Sequence, residues 1–106
     1  MNTFYESGLD INKIKELAAQ GDAESQFLLG NAYYQGDFTP NGFTDYSQAE
    51  AWYRKAADQG HAFAEYSLGT MCYFGVAGRK RGEHVNYKEA AEWFCKAAKK
   101  ILITSN

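Results

Sequence analysis

Apolar and polar positions alternate along this chain with the period of a helix. Tyr46, Ala49, Trp52, Tyr53, Ala56 and Ala57 recur at steps of three and four, which places them on one face of an α-helix. No stretch shows the strict two-residue alternation of a half-buried strand. The pattern predicts five helices, over about 10–20, 22–35, 45–59, 61–74 and 86–102. Gly21, Gly36, Gly60 and Gly75 fall where these helices should stop, as residues that tolerate a left-handed backbone. Asp45 with Gln48 has the spacing of a capping box, and Asn86 with Glu89 repeats it. The expected class is all-α.

The pattern also repeats. Residues 21–36 align with 60–75 at an offset of 39, with six identities: Gly21, Ala23, Leu29, Gly30, Tyr34 and Gly36. Residues 45–58 align with 86–99 at an offset of 41, with six more at Tyr46, Ala49, Trp52, Lys55, Ala56 and Ala57. Average residue usage would give roughly two identities over the aligned positions. The offset changes because the connector between Gly75 and Tyr87 is two residues longer than that between Gly36 and Tyr46. Stacked helical repeats tolerate insertions of this kind. Gly30 and Gly69 lie inside helices, where glycine costs about 1 kcal/mol relative to alanine. Their recurrence predicts close helix–helix approach, with Trp52 and Trp93 filling the space between neighbouring helices.

Composition narrows the class further. The 106 residues carry a formal net charge of −2, and 16% are aromatic. Such a chain folds, because disordered chains are poor in aromatics. It has no overall basic excess, so no nucleic-acid partner is expected. No apolar run approaches the ~20 residues that span a bilayer, so no membrane partner is expected either. Met1–Asp10 holds neither a basic n-region nor an apolar h-region, and the expected location is the cytoplasm. Cys72 and Cys95 form no CxxC pair and are expected to be free thiols, with Cys72 a buried packing residue. His61 and His84 have no partners at metal-ligand spacing, so neither metal nor cofactor is expected. No phosphate loop, nucleophile elbow or His-Glu-x-x-His motif is present, and no catalytic residues are assigned.

The run Ala-x-x-x-x-x-Leu-Gly-x-x-Tyr-Tyr-x-Gly at 23–36, followed by Asp-Tyr-x-x-Ala-x-x-Trp-Tyr-x-Lys-Ala-Ala-x-x-Gly at 45–60, resembles a Sel-one-like repeat. These repeats are relatives of the tetratricopeptide repeat. Residues 62–75 and 86–98 match a second copy, and 10–21 looks like the tail of a preceding one. The resemblance implies a right-handed α-α solenoid of antiparallel helix pairs. It divides one 1–106 domain into a half repeat (10–21), repeat one (22–60), repeat two (61–100) and a tail (101–106). Both connectors are longer than the family usually shows, and Cys72 stands where repeat one has Tyr33. A stack this short needs capped ends. Phe4 and Tyr5 at the front, and Ile101, Leu102 and Ile103 at the back, are the available apolar caps.

The resemblance implies a module for protein–protein interaction and no enzyme. By analogy with tetratricopeptide repeats, the first helix of each repeat lines a concave groove. Its candidate partner-binding residues are Phe27, Asn31, Tyr34 and Gln35, with Tyr66, Thr70, Tyr73 and Phe74 in the second copy. Aromatics bring contact area with few rotors, and amides bond to a peptide backbone. Asn31 stands out as a polar side chain among aromatics with little evident packing purpose. Arg79, Lys80 and Arg81 form the one basic cluster, suited to an acidic partner or phosphate if it is more than a solvated insertion. The expected partner is a peptide or protein surface, met by an adaptor, regulatory or immunity-type inhibitor that is a monomer or weak homodimer. Self-assembly through exposed repeat ends is the alternative, and a small hydrolase ranks below both.

Overall fold

A computed structural model describes residues 11–37, 41–75 and 87–105, with side chains through Leu102. Five helices follow one another: α1 (Ile11–Ala19), α2 (Ala23–Gln35), α3 (Tyr46–Asp58), α4 (Ala62–Phe74) and α5 (Tyr87–Ser105). No strand occurs among the described residues. Each helix packs on its sequence neighbours, α1 on α2, α2 on α3, α3 on α4 and α4 on α5. The result is an all-α solenoid in which α2 and α4 are the first helices of two repeats and α3 and α5 the second.

The ends of the helices follow from local chemistry. Asp22 caps α2, its carboxylate accepting the Ser25 amide at 2.9 Å and the Ser25 hydroxyl at 2.6 Å. His61 occupies the equivalent site on α4, and its Nδ1 accepts the Ala64 amide at 3.2 Å. Asp45 accepts the Gln48 amide at 3.1 Å, which is half of the expected capping box. The reciprocal half does not form, because the Asp45 amide donates instead to the Tyr33 carbonyl at 3.0 Å. That bond ties the start of α3 to the end of α2. Gly36 and Gly75 close α2 and α4 with φ of 82° and 73°, a backbone that disfavours any side chain. The second box, at Asn86, lies outside the described residues, as do Phe4, Tyr5 and the side chain of Ile103.

The buried core falls into two clusters. Ala49, Tyr53, Ala56 and Ala57 of α3 pack with Ala64, Leu68, Met71 and Cys72 of α4 and Ala90 of α5. Ile14, Ala18 and Leu29 form a smaller cluster between α1 and α2, against which Trp52 packs. The helix-interior glycines admit the close approach their repetition predicts. Trp52 and Trp93 pack against the two core clusters, and the rings that enter the notches are those of the residues that follow them. A Cβ on Gly30 would stand 2.7 Å from two ring carbons of Tyr53, and one on Gly69 would stand 2.7 Å from two of Phe94. Trp52 and Trp93 lie one residue earlier and are half-buried, each carrying a lysine ammonium 4.7 Å above its ring, Lys55 and Lys96.

Cys72 is buried and Cys95 exposed, and no disulfide joins them. No helix among the described residues is long and apolar enough to cross a membrane.

Candidate functional site

A cavity of about 250 Å³ opens between α2 and α4, lined by Asn31, Tyr34, Tyr53, Tyr66, Ser67, Thr70 and Met71. Four of the eight helix positions proposed from the sequence meet there: Asn31, Tyr34, Tyr66 and Thr70. The α-helical period explains the gathering, since 31 and 34 share a face of α2 as 66 and 70 share a face of α4. Tyr53 forms the floor from α3 because the Gly30 notch lets its ring slide under α2.

Asn31 has a packing purpose that the sequence alone did not reveal. The Tyr53 hydroxyl donates to Asn31 Oδ1 at 2.5 Å across a separation of 22 residues. Burial pushes the Tyr53 phenol up to about 12, against the opposing effect of its hydrogen bond with Ser67, and the nearby Tyr34 adds to the rise. Tyr53 is therefore neutral at physiological pH and orients the asparagine. Among the described residues the Asn31 amide hydrogens have no hydrogen-bond partner, so this donor group is held in place beside the cavity. Thr70 donates its hydroxyl to the Tyr66 carbonyl at 3.0 Å, which leaves that oxygen able only to accept. Among the described residues no charged side chain lines the cavity.

The other proposed residues sit elsewhere. Phe27 is half-buried, its ring stacked 4.8 Å from His61 and packed against Tyr53 and Phe63. It wedges α2 against the α3–α4 turn and does not line the cavity. Gln35 is exposed at the end of α2. Tyr73 and Phe74 lie at the end of α4, in edge contact with each other at 5.1 Å. Tyr73 also meets Tyr87 at 5.4 Å, as Tyr34 meets Tyr46 at 5.7 Å. These repeated tyrosine pairs join the end of each first helix to the start of the second, so Tyr34 and Tyr73 have a structural part in addition to any contact with a partner. Arg79, Lys80 and Arg81 lie outside the described residues.

A second set of polar contacts escaped the sequence reading. Gln59 Nε2 donates to the Gly21 carbonyl at 2.8 Å and to Gln26 Oε1 at 2.9 Å, while Gln26 Nε2 donates to the Ala18 carbonyl at 3.1 Å. In the second repeat, Lys100 Nζ donates to the Gly60 carbonyl at 3.1 Å and to Glu65 Oε2 at 2.6 Å. The repeat offsets map Gly21, Gln26 and Gln59 onto Gly60, Glu65 and Lys100. The two clasps hold the same turn with different chemistry. Their signal lay in the alignment, where positions 26 and 59 change together. On the outer side, Arg54 binds Glu50 at 2.9 Å and reaches Glu89 of α5 at 3.6 Å. No group of three or more His, Cys, Asp or Glu among the described residues could hold a metal ion.

Paired helices that stack through small residues, with the first helices forming one face, define a helical-repeat scaffold of the kind that displays a binding surface. Residues 23–61 and 62–100 each match the family model described as Sel1 repeat, and the chain belongs to that family. A solved structure with a similar fold is that of c5321, described as a protective antigen present in uropathogenic Escherichia coli strains and displaying an SLR fold. The match has a TM-score of 0.70 and 36% sequence identity. It covers 87% of this chain and 18% of c5321, so the chain spans under a fifth of that protein's length. Sel1 repeats typically mediate protein–protein interaction.

Proposed function

We propose that this protein is a binding module that takes a peptide segment or protein surface on its α2–α4 face, as an adaptor, regulatory subunit or immunity-type inhibitor. The observation that carries the reading is the Asn31 amide, fixed by the Tyr53 hydroxyl at the edge of an uncharged, tyrosine-walled cavity. An oriented amide matches the hydrogen-bonding groups of a peptide backbone, and the tyrosine faces match an apolar side chain. The cavity lies below the ~300–1,000 Å³ of small-molecule sites, which suits one anchoring side chain better than a substrate. Arg79–Arg81 extend the proposal to an acidic partner segment.

Selection of displayed peptides on the immobilised chain tests this. Enriched peptides should bind the wild type and lose affinity about tenfold or more to Thr70→Arg, a variant that alters the cavity wall and keeps Tyr66 against Phe94. Equal affinity for both chains would sink the assignment of the face. Tyr34→Ala and Tyr73→Ala are poorer probes, because each also removes a tyrosine pair inside its repeat.

A further inference from the structure

The groups lining the α2–α4 cavity have partly spent their hydrogen-bonding capacity on one another, and what is left selects the occupant. Tyr53 has a single O–H and donates it to Asn31 Oδ1. The asparagine carbonyl is thereby engaged, and its amide hydrogens are left to donate. The Ser67 hydroxyl also bonds to Tyr53. With the Tyr53 hydrogen committed to Asn31, Ser67 is the donor in that bond, so its oxygen can only accept from a further partner. Thr70 spends its hydrogen on the Tyr66 carbonyl and likewise can only accept. Asn31 belongs to α2, whereas Ser67 and Thr70 belong to α4. The α2 side of the cavity thus offers a donor and the α4 side two acceptors. Tyr34 and Tyr66 are 39% and 55% exposed, so their hydroxyls turn to either role and set no polarity.

Each class of side chain meets these two sides differently. A carboxylate only accepts. It suits Asn31 but sets lone pairs against Ser67 and Thr70, and among the described residues no cation lines the cavity to offset its desolvation. An ammonium only donates, which suits α4 but sets hydrogens against the Asn31 amide. An aliphatic side chain covers all three polar groups and pairs none of them. A serine or threonine hydroxyl has one hydrogen for two acceptors. A primary carboxamide carries a carbonyl acceptor and an NH2 donor on one carbon, without net charge. Its carbonyl can meet Asn31 while its NH2 meets Ser67 and Thr70, and its methylene stem can lie along the tyrosine rings.

We infer that this cavity is a carboxamide pocket, which anchors the partner by a glutamine or asparagine side chain. The inference rests on the reading of the α2–α4 face as a binding surface for a peptide or protein segment, and it specifies what enters that surface. The polar set is not duplicated one repeat on. The positions of Asn31 and Tyr53 are taken there by Thr70 and Phe94, so among the described residues the complementary donor and acceptors come together once per chain.

The probe is a library of displayed random peptides, selected on the full chain. Peptides that lose affinity about tenfold or more to Thr70→Arg occupy the face. They are resynthesised with each Gln or Asn changed in turn to the near-isosteric Glu or Asp, and to Met. Every such peptide should hold one Gln or Asn at which both changes weaken binding about tenfold or more, which corresponds to about 1.4 kcal/mol. Asn31→Asp keeps the shape of the side chain and exchanges its donor for an acceptor. It should lose the same peptides to a similar extent, yet bind their Gln→Lys or Asn→Lys versions better than the wild type does, an exchange of preference that damage to the fold would not produce. Its thermal melt verifies that it is folded. Face-binding peptides without a required carboxamide, or equal binding after the change to Met, overturn the inference and leave the peptide-binding reading standing. If no selected peptide distinguishes Thr70→Arg from the wild type, the reading of the face fails and the carboxamide pocket fails with it.

Discussion

The two repeats solve the same packing problem with different chemistry. Both place a glycine under an aromatic ring, both join their helices with a tyrosine pair, and both lay a lysine over a tryptophan. The polar joints differ. Repeat one closes its turn with two glutamines and seats a hydroxyl on an asparagine. Repeat two uses a lysine and a buried glutamate, and replaces the Asn31–Tyr53 pair with Thr70 and Phe94. Shape is thus what stacking demands, and hydrogen bonding is adjustable as long as both partners change together. That lesson bears on function: the variable joint at Asn31 and Tyr53 is also the one that builds the cavity.

The largest contrast should come from the turn clasps. Glu65 is 2% exposed, and its Oε1 has no partner among the described residues. Lys100→Ala would strip the other oxygen of its cation and should cost about 3 kcal/mol, since an unpaired buried charge is strongly destabilising. Gln59→Ala removes only neutral bonds and should cost about 1 kcal/mol. Urea unfolding of both variants measures the difference. The double variant Glu65→Gln/Lys100→Gln, which transplants the neutral clasp, should recover most of the loss, because its amide can donate where a carboxylate cannot. If Lys100→Ala proves as mild as Gln59→Ala, the charged clasp has no special weight.

The glycine notches come next. Alanine at either site gains about 1 kcal/mol of helix propensity but forces an overpacked contact that typically costs 1–3 kcal/mol, roughly. Gly30→Ala should be the worse of the two by about 1 kcal/mol, because Tyr53 is buried and tethered to Asn31 whereas Phe94 is half-buried and has no hydroxyl. Thermal melts of the pair decide this, and equal losses would show that the tether does not stiffen the ring.

Alkaline pH sharpens the same comparison. The Tyr53 phenol is raised from 10.0 to about 12 in the folded chain, so the folded state holds its proton where the unfolded state has released it. Stability from this group is complete below about pH 10 and falls as pH rises towards 12. Tyr53→Phe should remove that part of the decline and cost about 1 kcal/mol at neutral pH through the lost bond to Asn31. An unaltered alkaline slope in the variant would mean that other tyrosines set it. At the acid end the effect is smallest. The Ser25 hydroxyl and amide hold the Asp22 carboxyl below its ordinary value of 3.8. The cap's contribution is present above that value and is lost as pH falls below it, whereas His61 at the equivalent site supplies no carboxylate. Asp22→Asn should flatten the acid limb of the stability profile slightly.

The helices were legible because a 3.6-residue period and paired glycines are local signals. The start of α3 and the stop of α4 needed nothing beyond Asp45 and Gly75. What escaped was one residue away or far along the chain. Positions 52 and 53 share the apolar face, and periodicity cannot say which ring enters a glycine notch. The Asn31–Tyr53 bond spans 22 residues and leaves no local trace. Half of the helix positions proposed for the site gather at the cavity. Phe27 is drawn inward by His61, and Tyr73 and Phe74 pack together at the end of α4. Concerted changes between aligned repeats, Asn31 to Thr70 with Tyr53 to Phe94, were the readable clue to both the joint and the cavity.

The most direct test of the binding face is amide and side-chain NMR of the labelled chain, titrated with a peptide selected on it. The α2–α4 face predicts that the Asn31 side-chain amide shifts most, with Tyr66, Ser67 and Thr70 following in the same titration. Shifts gathered instead on the outer side of α5, around Lys88, Glu92 and Lys96, with the Asn31 amide unmoved, would contradict it.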